Sequence, residues 1–441
     1  MFEKKTISSF DQSCSLEIFL KNSEKYKELE NDSRSVENLM TMGSCYSYVA
    51  ASFKDKSLSV NIKKFNRILF FDKKKKIITV EAGIKIYELL DFTLKYNLWI
   101  PQIPGYPFIS IGGAVASNVH GKSCAFYGTI KNSIKNIKIF HKLHGWLNLN
   151  SEENKNIFDL TIGGLGLTGT IISVTFELKE INNFNFLTTI KSIESISQTI
   201  DFLESSDQKN LIYSWNAINL NSDLNTFGRG IIFENKINQG NNLNSYKKIK
   251  YFNKRKIFFF NLWNNITIKY FNYFFFNYQK YIKKEKYNDT FSNVVFPFYN
   301  KEIYFSLFGR KGFIESQILI SKKIINEFLE EFNKKINLYK PTITIFSVKK
   351  MSGEQKYLRF EDNKICLTFD MVRNKKNTVF LNELYKLYIK YNALPSVIKD
   401  SNLDKETFYK CYKEADIFRA KLREFDPKRS YRSELSDKLD I

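Results

Sequence analysis

Between Pro104 and Lys122 the chain gathers residues whose types and spacing suit chemistry on a large anionic ligand. They are Pro104-Gly105, Gly112-Gly113, the small side chains of Ala114, Ala116 and Ser117, and then His120-Gly121-Lys122. Glycines lack a Cβ, so the main chain at Gly112 and Gly113 can approach a pyrophosphate and point N–H groups at it. His120 can act as a base near neutral pH or hold a hydroxyl group. Lys122 suits an anion such as phosphate, as does Lys350 in Val348-Lys349-Lys350-Met351. Roughly fifty residues after the first glycine pair comes Gly163-Gly164-Leu165-Gly166-Leu167-Thr168-Gly169-Thr170-Ile171. Either cluster alone could be a tight turn. Two of them framing one ligand is the stronger reading.

Strands and helices must hold these loops. Leu58–Ile62 and Ile77–Val80 read as strands, with Gly83 ending the second, and Ile172–Leu178 alternates as a strand after the second glycine loop. Ile86, Leu89, Leu90, Thr93 and Leu94 recur at helical spacing, predicting a helix that stops before Asn97. Pro101 and Pro104 then hold the chain extended into the glycine loop. Phe140 to Gly145 reads as a hairpin turn, which makes His141 and His144 two surface histidines without a carboxylate or thiol ligand set; no metal is expected. From about Lys179 to Leu394 glycine thins and aromatic and basic stretches take over, marking a second, substrate-facing domain. A helix over about Lys405 to Phe425 carries Phe408, Cys411, Tyr412, Ala415, Phe418 and Leu422 on one face.

At 441 residues the chain can bury two substantial cores. It contains no uninterrupted apolar run long enough to span a bilayer and no apolar leader, so a cytoplasmic protein is expected, at most peripheral at the inner membrane. Five scattered cysteines fit reduced thiols and no Cys-x-x-Cys metal site. The net charge of +22 invites a nucleic-acid reading, but the basic residues are spread among acids and form no single block. Lys, Asn, Ile, Phe and Tyr share AT-rich codons, and a charge of that origin says little about partners. Nucleic-acid binding is therefore not the expectation.

The ordered set of motifs resembles flavoproteins of the vanillyl-alcohol-oxidase type, within which it is most similar to decaprenylphosphoryl-ribose oxidase and its bacterial relatives. The resemblance is near full length. It rests on the loop ending His120-Gly121-Lys122, on Gly163 to Gly169, and on a cap stretch from Asn261 to Phe276. It continues through Ile398-Lys399-Asp400-Ser401 and the closing Phe425-Asp426-Pro427 with Ser433 and Leu435. It implies an α+β fold: a two-part FAD-binding (PCMH-type) domain over residues 1–180, a substrate/cap domain with an antiparallel sheet over 181–394, and a return to the FAD domain over 395–441.

By the same resemblance, Gly43, Ser44, Cys45, Tyr46 and Ser47 wrap the FAD pyrophosphate, with Pro104, Gly105, Gly112, Gly113, Ala116, Ser117, His120, Gly121, Gly166, Thr168, Gly169 and Ile171 completing the cofactor site. The chain departs from the pattern at Cys45 and Val49, where glycines are usual, and at Ser396, where close relatives carry tyrosine. With no histidine in the Gly43 to Ser47 loop, noncovalent FAD is implied. Gln317 and Cys366 would line the substrate site with Lys122 and Lys350. Lys399 would supply positive charge where reduction leaves an anion, with His120 beside it. A cation about 4 Å from such a charge contributes on the order of 4 kcal/mol at an effective dielectric near 20.

The implied activity is oxidation of a sugar secondary alcohol to a keto sugar on a polyprenyl-phosphate-linked pentose, a separate short-chain reductase completing an epimerisation. Two other readings stay open at this level: an aldonolactone or alditol oxidase acting on a soluble sugar, and a basic membrane- or nucleic-acid-binding protein with a vestigial flavin site. The aromatic stretch Trp263 to Phe276, flanked by Lys254-Arg255-Lys256 and Lys283-Lys284, fits either a bilayer interface or a buried cap helix.

Overall fold

The computed structural model describes residues 2–220, 223–238, 248–250 and 257–441, so the flank Lys254-Arg255-Lys256 lies outside the described residues. The fold is α+β, as the sequence leads one to expect. Its first part contains a two-stranded sheet, Leu98–Trp99 with Lys179–Glu180, and two larger ones. One is four-stranded, in the order Glu3–Ser8, Ser15–Asn22, Leu58–Asn61, Leu39–Met42, with an antiparallel outer hairpin and parallel inner pairs. The other is five-stranded and antiparallel, in the order Ile68–Asp72, Ile77–Glu81, Thr170–Glu177, Ile134–His141, Gly145–Leu149. A helix, Ile86–Thr93, buries the stripe read from its spacing and ends in a short 3-10 turn at Asn97, whose φ is 57°.

An eight-stranded antiparallel sheet dominates the rest, in the order Lys286–Thr290, Asn185–Ile193, Gly230–Ile237, Leu211–Asn216, Ile343–Lys350, Ile365–Val372, Phe313–Ile320, Leu394–Pro395. Successive strand side chains point to opposite faces, and the sequence uses both. Phe346 and Phe369 stack on each other and meet Phe332 of helix Ile325–Tyr339, so one face is packed apolar core. The residues between them, Ile345, Ser347, Lys349, Thr368 and Asp370, turn to the other face and line a cavity.

The C-terminal segment packs back on the first part. Leu39 N–H donates to the Ser430 carbonyl at 2.9 Å, Leu435 N–H to that of Ala50 at 3.1 Å, and Tyr431 O–H to that of Phe140 at 3.1 Å. The expected single helix over this segment is two, Lys405–Cys411 and Ala415–Phe425. Tyr412 interrupts them because its buried hydroxyl bonds to the Pro395 carbonyl at 2.6 Å. The hairpin at Phe140–Gly145 forms, yet only His144 is at the surface. His141 is fully buried, with Nε2 3.5 Å from Asp426 Oδ2.

No helix among the described residues is long and apolar enough to cross a membrane. The cap helix Asn265–Asn277 is capped by Asn264, whose side chain accepts from Ile266 N–H and Thr267 N–H. Ile268, Asn272 and Phe276 are buried, whereas Ile266, Tyr270, Tyr273 and Phe274 are 61–69% exposed. Both readings of this segment thus have a face.

A clasp joins the two parts beside the second glycine loop. The buried Arg359 guanidinium donates to Asp159 Oδ1 at 2.9 Å and to the Asp159 and Ile162 carbonyls, and Lys356 reaches Asp159 Oδ2 at 2.7 Å. Burial pushes the Asp159 carboxyl up, but hydrogen bonds from Lys356 and Arg359 outweigh it and hold the group below its ordinary value. A depressed carboxylate stabilises the fold above its unfolded pKa and loses that contribution as pH falls through the folded one. Asp159→Asn should therefore cost about 1–3 kcal/mol at neutral pH, a gap that narrows as pH drops into the acid range, read from denaturant midpoints of both proteins at each pH.

Candidate active site

One cavity of about 870 Å³ runs between the first part and the polar face of the large sheet. That is within the range of small-molecule and cofactor sites. Strand Leu39–Met42 delivers Gly43, Ser44, Cys45, Tyr46 and Ser47 to its wall. Cys45 takes φ 56°, the left-handed conformation glycine adopts freely, at a cost of about 1–2 kcal/mol for a residue with a Cβ. The left-handed conformation that glycine would adopt freely is thus held with cysteine in its place. Behind it, Thr41 Oγ1 and Thr170 Oγ1 lie 2.6 Å apart and tie the two larger sheets of the first part together.

Pro104, Gly105, Ala116, Ser117, His120 and Gly121 line the same cavity, as do Gly166, Gly169 and Ile171. The Gly112-Gly113 pair lies in a short helix, Ile111–Ala116, and its members differ. Gly112 N–H is taken by the Ala82 carbonyl at 2.7 Å and a Cβ there would press on Ala82, so Gly112 serves packing and offers no N–H to a ligand. A Cβ on Gly113 would meet only Ser110 Oγ, at 3.2 Å, and would otherwise project into open space. Thr168 is a correction: its Oγ1 bonds Thr161 Oγ1 at 2.8 Å, buried away from the cavity. Asn118, which sequence reading passed over, lines the cavity at φ 44°, and its buried Nδ2 has no partner among the described residues. Phe10 also joins the wall, stacked on Tyr48 at 5.1 Å, brought there by the N-terminal hairpin and marked by no local motif.

The strand register sets the other wall. Opposite pairs Glu315–Asp370 and Gln317–Thr368 place four polar side chains on one face. Gln317 Nε2 donates to Thr368 Oγ1 at 2.9 Å, leaving Oε1 buried and without a partner among the described residues. Cys366, one step further along, is fully buried beneath Thr368 with Sγ 3.6 Å from Thr368 Oγ1, and does not reach the cavity. Lys350 is displaced likewise: alternation turns it to the outer face, where it pairs with Glu204 at 3.1 Å, and Lys349 takes the cavity position. Lys350 is displaced by strand parity, whereas Cys366 shares the face of Thr368 and is covered by it.

Lys399 is presented by a turn in which its N–H and that of Asp400 both donate to the Ser396 carbonyl. Its Nζ lies 3.2 Å from Glu315 Oε1 and 3.6 Å from the centroid of the Tyr48 ring. It is thus an ion-paired cation, not a free one. His120 sits across the cavity, and burial, then the charges of Lys349 and Lys399, hold its pKa well below the ordinary value. A neutral imidazole suits holding a hydroxyl better than accepting its proton. Lys122 donates to the Val295 carbonyl at 3.1 Å and lies 4.8 Å from the Tyr213 ring centroid. Burial, then Lys349 and Lys301, push its pKa well down. Lys283 completes this side of the cavity, and none of these four lysines has a carboxylate partner among the described residues. No cluster of His, Cys, Asp and Glu among the described residues could hold a metal ion.

The FAD binding domain family matches residues 33–143, the stretch that carries the Cys45 loop, the Gly113 helix and His120. Decaprenylphosphoryl-beta-D-ribose oxidase of Mycolicibacterium smegmatis is 22% identical over 409 residues, covering 87% of this chain and 85% of its own. Two shorter similarities are to L-galactono-1,4-lactone dehydrogenase 2 of rice, Oryza sativa, and to L-gulonolactone oxidase of mouse. The first is 26% identical over 35% of this chain and 26% of the relative, the second 25% identical over 33% and 32%. The residues present fit the cofactor: open space at Gly113 and an aromatic wall at Phe10 and Tyr48. The chain is a flavoprotein oxidoreductase whose FAD is held by an FAD binding domain of the PCMH type.

Proposed function

We propose that this enzyme oxidises a secondary alcohol of a sugar to a ketone, the sugar being a pentose carried on a polyprenyl phosphate, and that a separate reductase consumes the keto sugar to complete an epimerisation. The observation that carries the reading is the set of four lysines, Lys122, Lys283, Lys301 and Lys349, turned into the cavity without carboxylate partners among the described residues. Lys122, Lys283 and Lys349 are partly buried, and cations gathered at one wall need counter-charge, which a substrate phosphate supplies. A neutral lactone or alditol brings hydroxyls but no counter-charge for these lysines, which favours the phosphate-linked sugar over the soluble one.

FAD, bound noncovalently through Gly43 to Ser47, the Gly113 helix and Gly166 to Ile171, supplies a hydride acceptor. The chain's own residues do the rest. Neutral His120 and the Gln317 side chain hold and orient sugar hydroxyls. Lys399, fixed between Glu315 and Tyr48, stabilises the negative charge that arrives with the hydride. The lysines pull the phosphate inward, while the cavity wall at Phe271 and Phe275 belongs to the same helix whose outer face exposes Tyr270, Tyr273 and Phe274. That outer face, with Lys269 and Lys280 beside it, enters the headgroup layer of an anionic bilayer and draws the lipid-linked substrate from it.

Acid precipitation should release the flavin into the supernatant, and Gly113→Val should abolish flavin binding by filling the open space at that position; yellow pellets or a yellow variant would refute these points. Lys399→Met should keep its flavin while anaerobic reduction by a prenyl-phospho-pentose slows by at least roughly two orders of magnitude, the scale of about 3 kcal/mol of transition-state stabilisation. Lys122→Met should weaken binding of the phosphorylated substrate while leaving a free sugar's weak turnover less affected. The triple variant Tyr270→Ser, Tyr273→Ser, Phe274→Ser spares the inward Phe275 and Phe276 and should lower co-sedimentation with anionic liposomes without loss of flavin. Unchanged sedimentation would remove the bilayer from the reading.

A further inference from the structure

The mechanism leaves one buried titratable pair unused. Glu315 and Asp370 face each other on adjacent strands, 6% and 4% exposed, and both line the cavity beside Lys399. Every neighbour can be named. Lys399 Nζ pairs with Glu315 at 3.2 Å and itself sits on the Tyr48 ring. Tyr304, from the short helix Ile303–Ser306, donates its hydroxyl to Asp370 Oδ2 at 2.8 Å and shares a 2.7 Å bond with Thr344 Oγ1. Asp370 stands directly opposite Glu315 in the register of the two strands. One cation thus faces two carboxyl groups in a nearly dry corner.

We propose that Glu315 is the proton acceptor of the alcohol oxidation and that Asp370, carrying the one proton the pair shares, is its positioning partner. This rests on the alcohol-oxidation reading above. Two carboxylates this close cannot both ionise beside a single lysine. Burial first, and then the Glu315 charge, drive the Asp370 carboxyl well above its ordinary range, so Asp370 holds the proton and faces Glu315 with it. Glu315 remains the carboxylate, paired with Lys399 and open to the cavity.

The step balances. The substrate O–H bond breaks and its proton passes to Glu315. The carbinol C–H bond breaks and its electron pair leaves with hydrogen as hydride to the flavin. The C=O bond forms, the alcohol losing two electrons and the flavin gaining them. Protonation also neutralises the partner of Lys399, so the cation's field turns to the charge just delivered. One proton transfer therefore cancels a charge where it is no longer needed and uncovers the opposite charge where it is. Neither carboxylate stands in a sequence motif, and only the register unites them.

The shared proton can be tested without turnover. Infrared difference spectra of the flavin-free protein against each variant at neutral pH should show one protonated carboxyl band in wild type. The band should be missing both in Asp370→Asn, which removes the protonated group, and in Glu315→Gln, where Asp370 ionises against the freed Lys399. A band that survives in either variant, or none in wild type, overturns the pair. In the flavin-loaded protein, Glu315→Gln should slow reduction by substrate by at least roughly 100-fold and erase the acid limb of its pH profile. Glu315→Asp should restore that limb in part, and Asp370→Asn should slow reduction less than Glu315→Gln. An acid limb that survives in Glu315→Gln overturns the acceptor role. If wild-type flavin is reduced by no sugar alcohol, the oxidation reading and the acceptor role fall together, and the infrared band shows separately whether the shared proton exists.

Discussion

The pairing of Phe313–Ile320 with Ile365–Val372 is the constraint on which the site depends. Because strand side chains alternate, this one register puts Glu315, Gln317, Thr368 and Asp370 on the cavity face and sends Ile314, Ile318, Leu367 and Phe369 to the helices. A slip of one residue would exchange the two sets. It would bury the polar groups under Phe332 and turn Phe369 and Leu367 into the cavity. The apolar packing that stabilises the sheet is therefore the same interaction that aims the chemistry, and the core cannot form correctly with the site built wrongly.

Electrostatics in the cavity follow from that frame. Lys349 enters because it shares parity with Ser347 and Ile345. Lys122 enters from the first part, on the loop after His120, and the two meet only because the parts close on one another. Each depresses its neighbours: His120 and Lys122 both feel Lys349. Such crowding of like charge is unfavourable in the empty protein and becomes favourable once an anion arrives. The cavity is thus biased toward its ligand before the ligand binds.

What was legible in the sequence divides along the range of the interactions. The helix at Ile86 and the hairpin at Phe140 are local, and their apolar spacing and turn residues suffice to place them. The glycine loops were legible as a ligand frame, although spacing could not tell that Gly112 N–H is spent on Ala82 while Gly113 faces open space. Lys350 was misplaced because two adjacent lysines at a strand end do not show which one faces the cavity, and Cys366 because its cover by Thr368 depends on packing depth, which strand alternation does not encode. Phe10, Asn118 and the Glu315–Asp370 pair were invisible, since only pairing over long sequence separations brings them to the site. Cys45 was read correctly as a conformational expense, and the structure shows it incurred.

The clasp at Arg359 bears on how the enzyme can open. Its guanidinium is buried and held by two carbonyls and a carboxylate of the opposite part. Separating the parts along this edge would break three hydrogen bonds of the guanidinium at once and leave it only Glu361, 3.9 Å away. The edge beside the second glycine loop therefore behaves as the fixed spine of a book. Ligand traffic is then left to the other walls, and the cap helix, with Phe271 and Phe275 on the cavity and Tyr273 and Phe274 at the surface, is one that touches both sides.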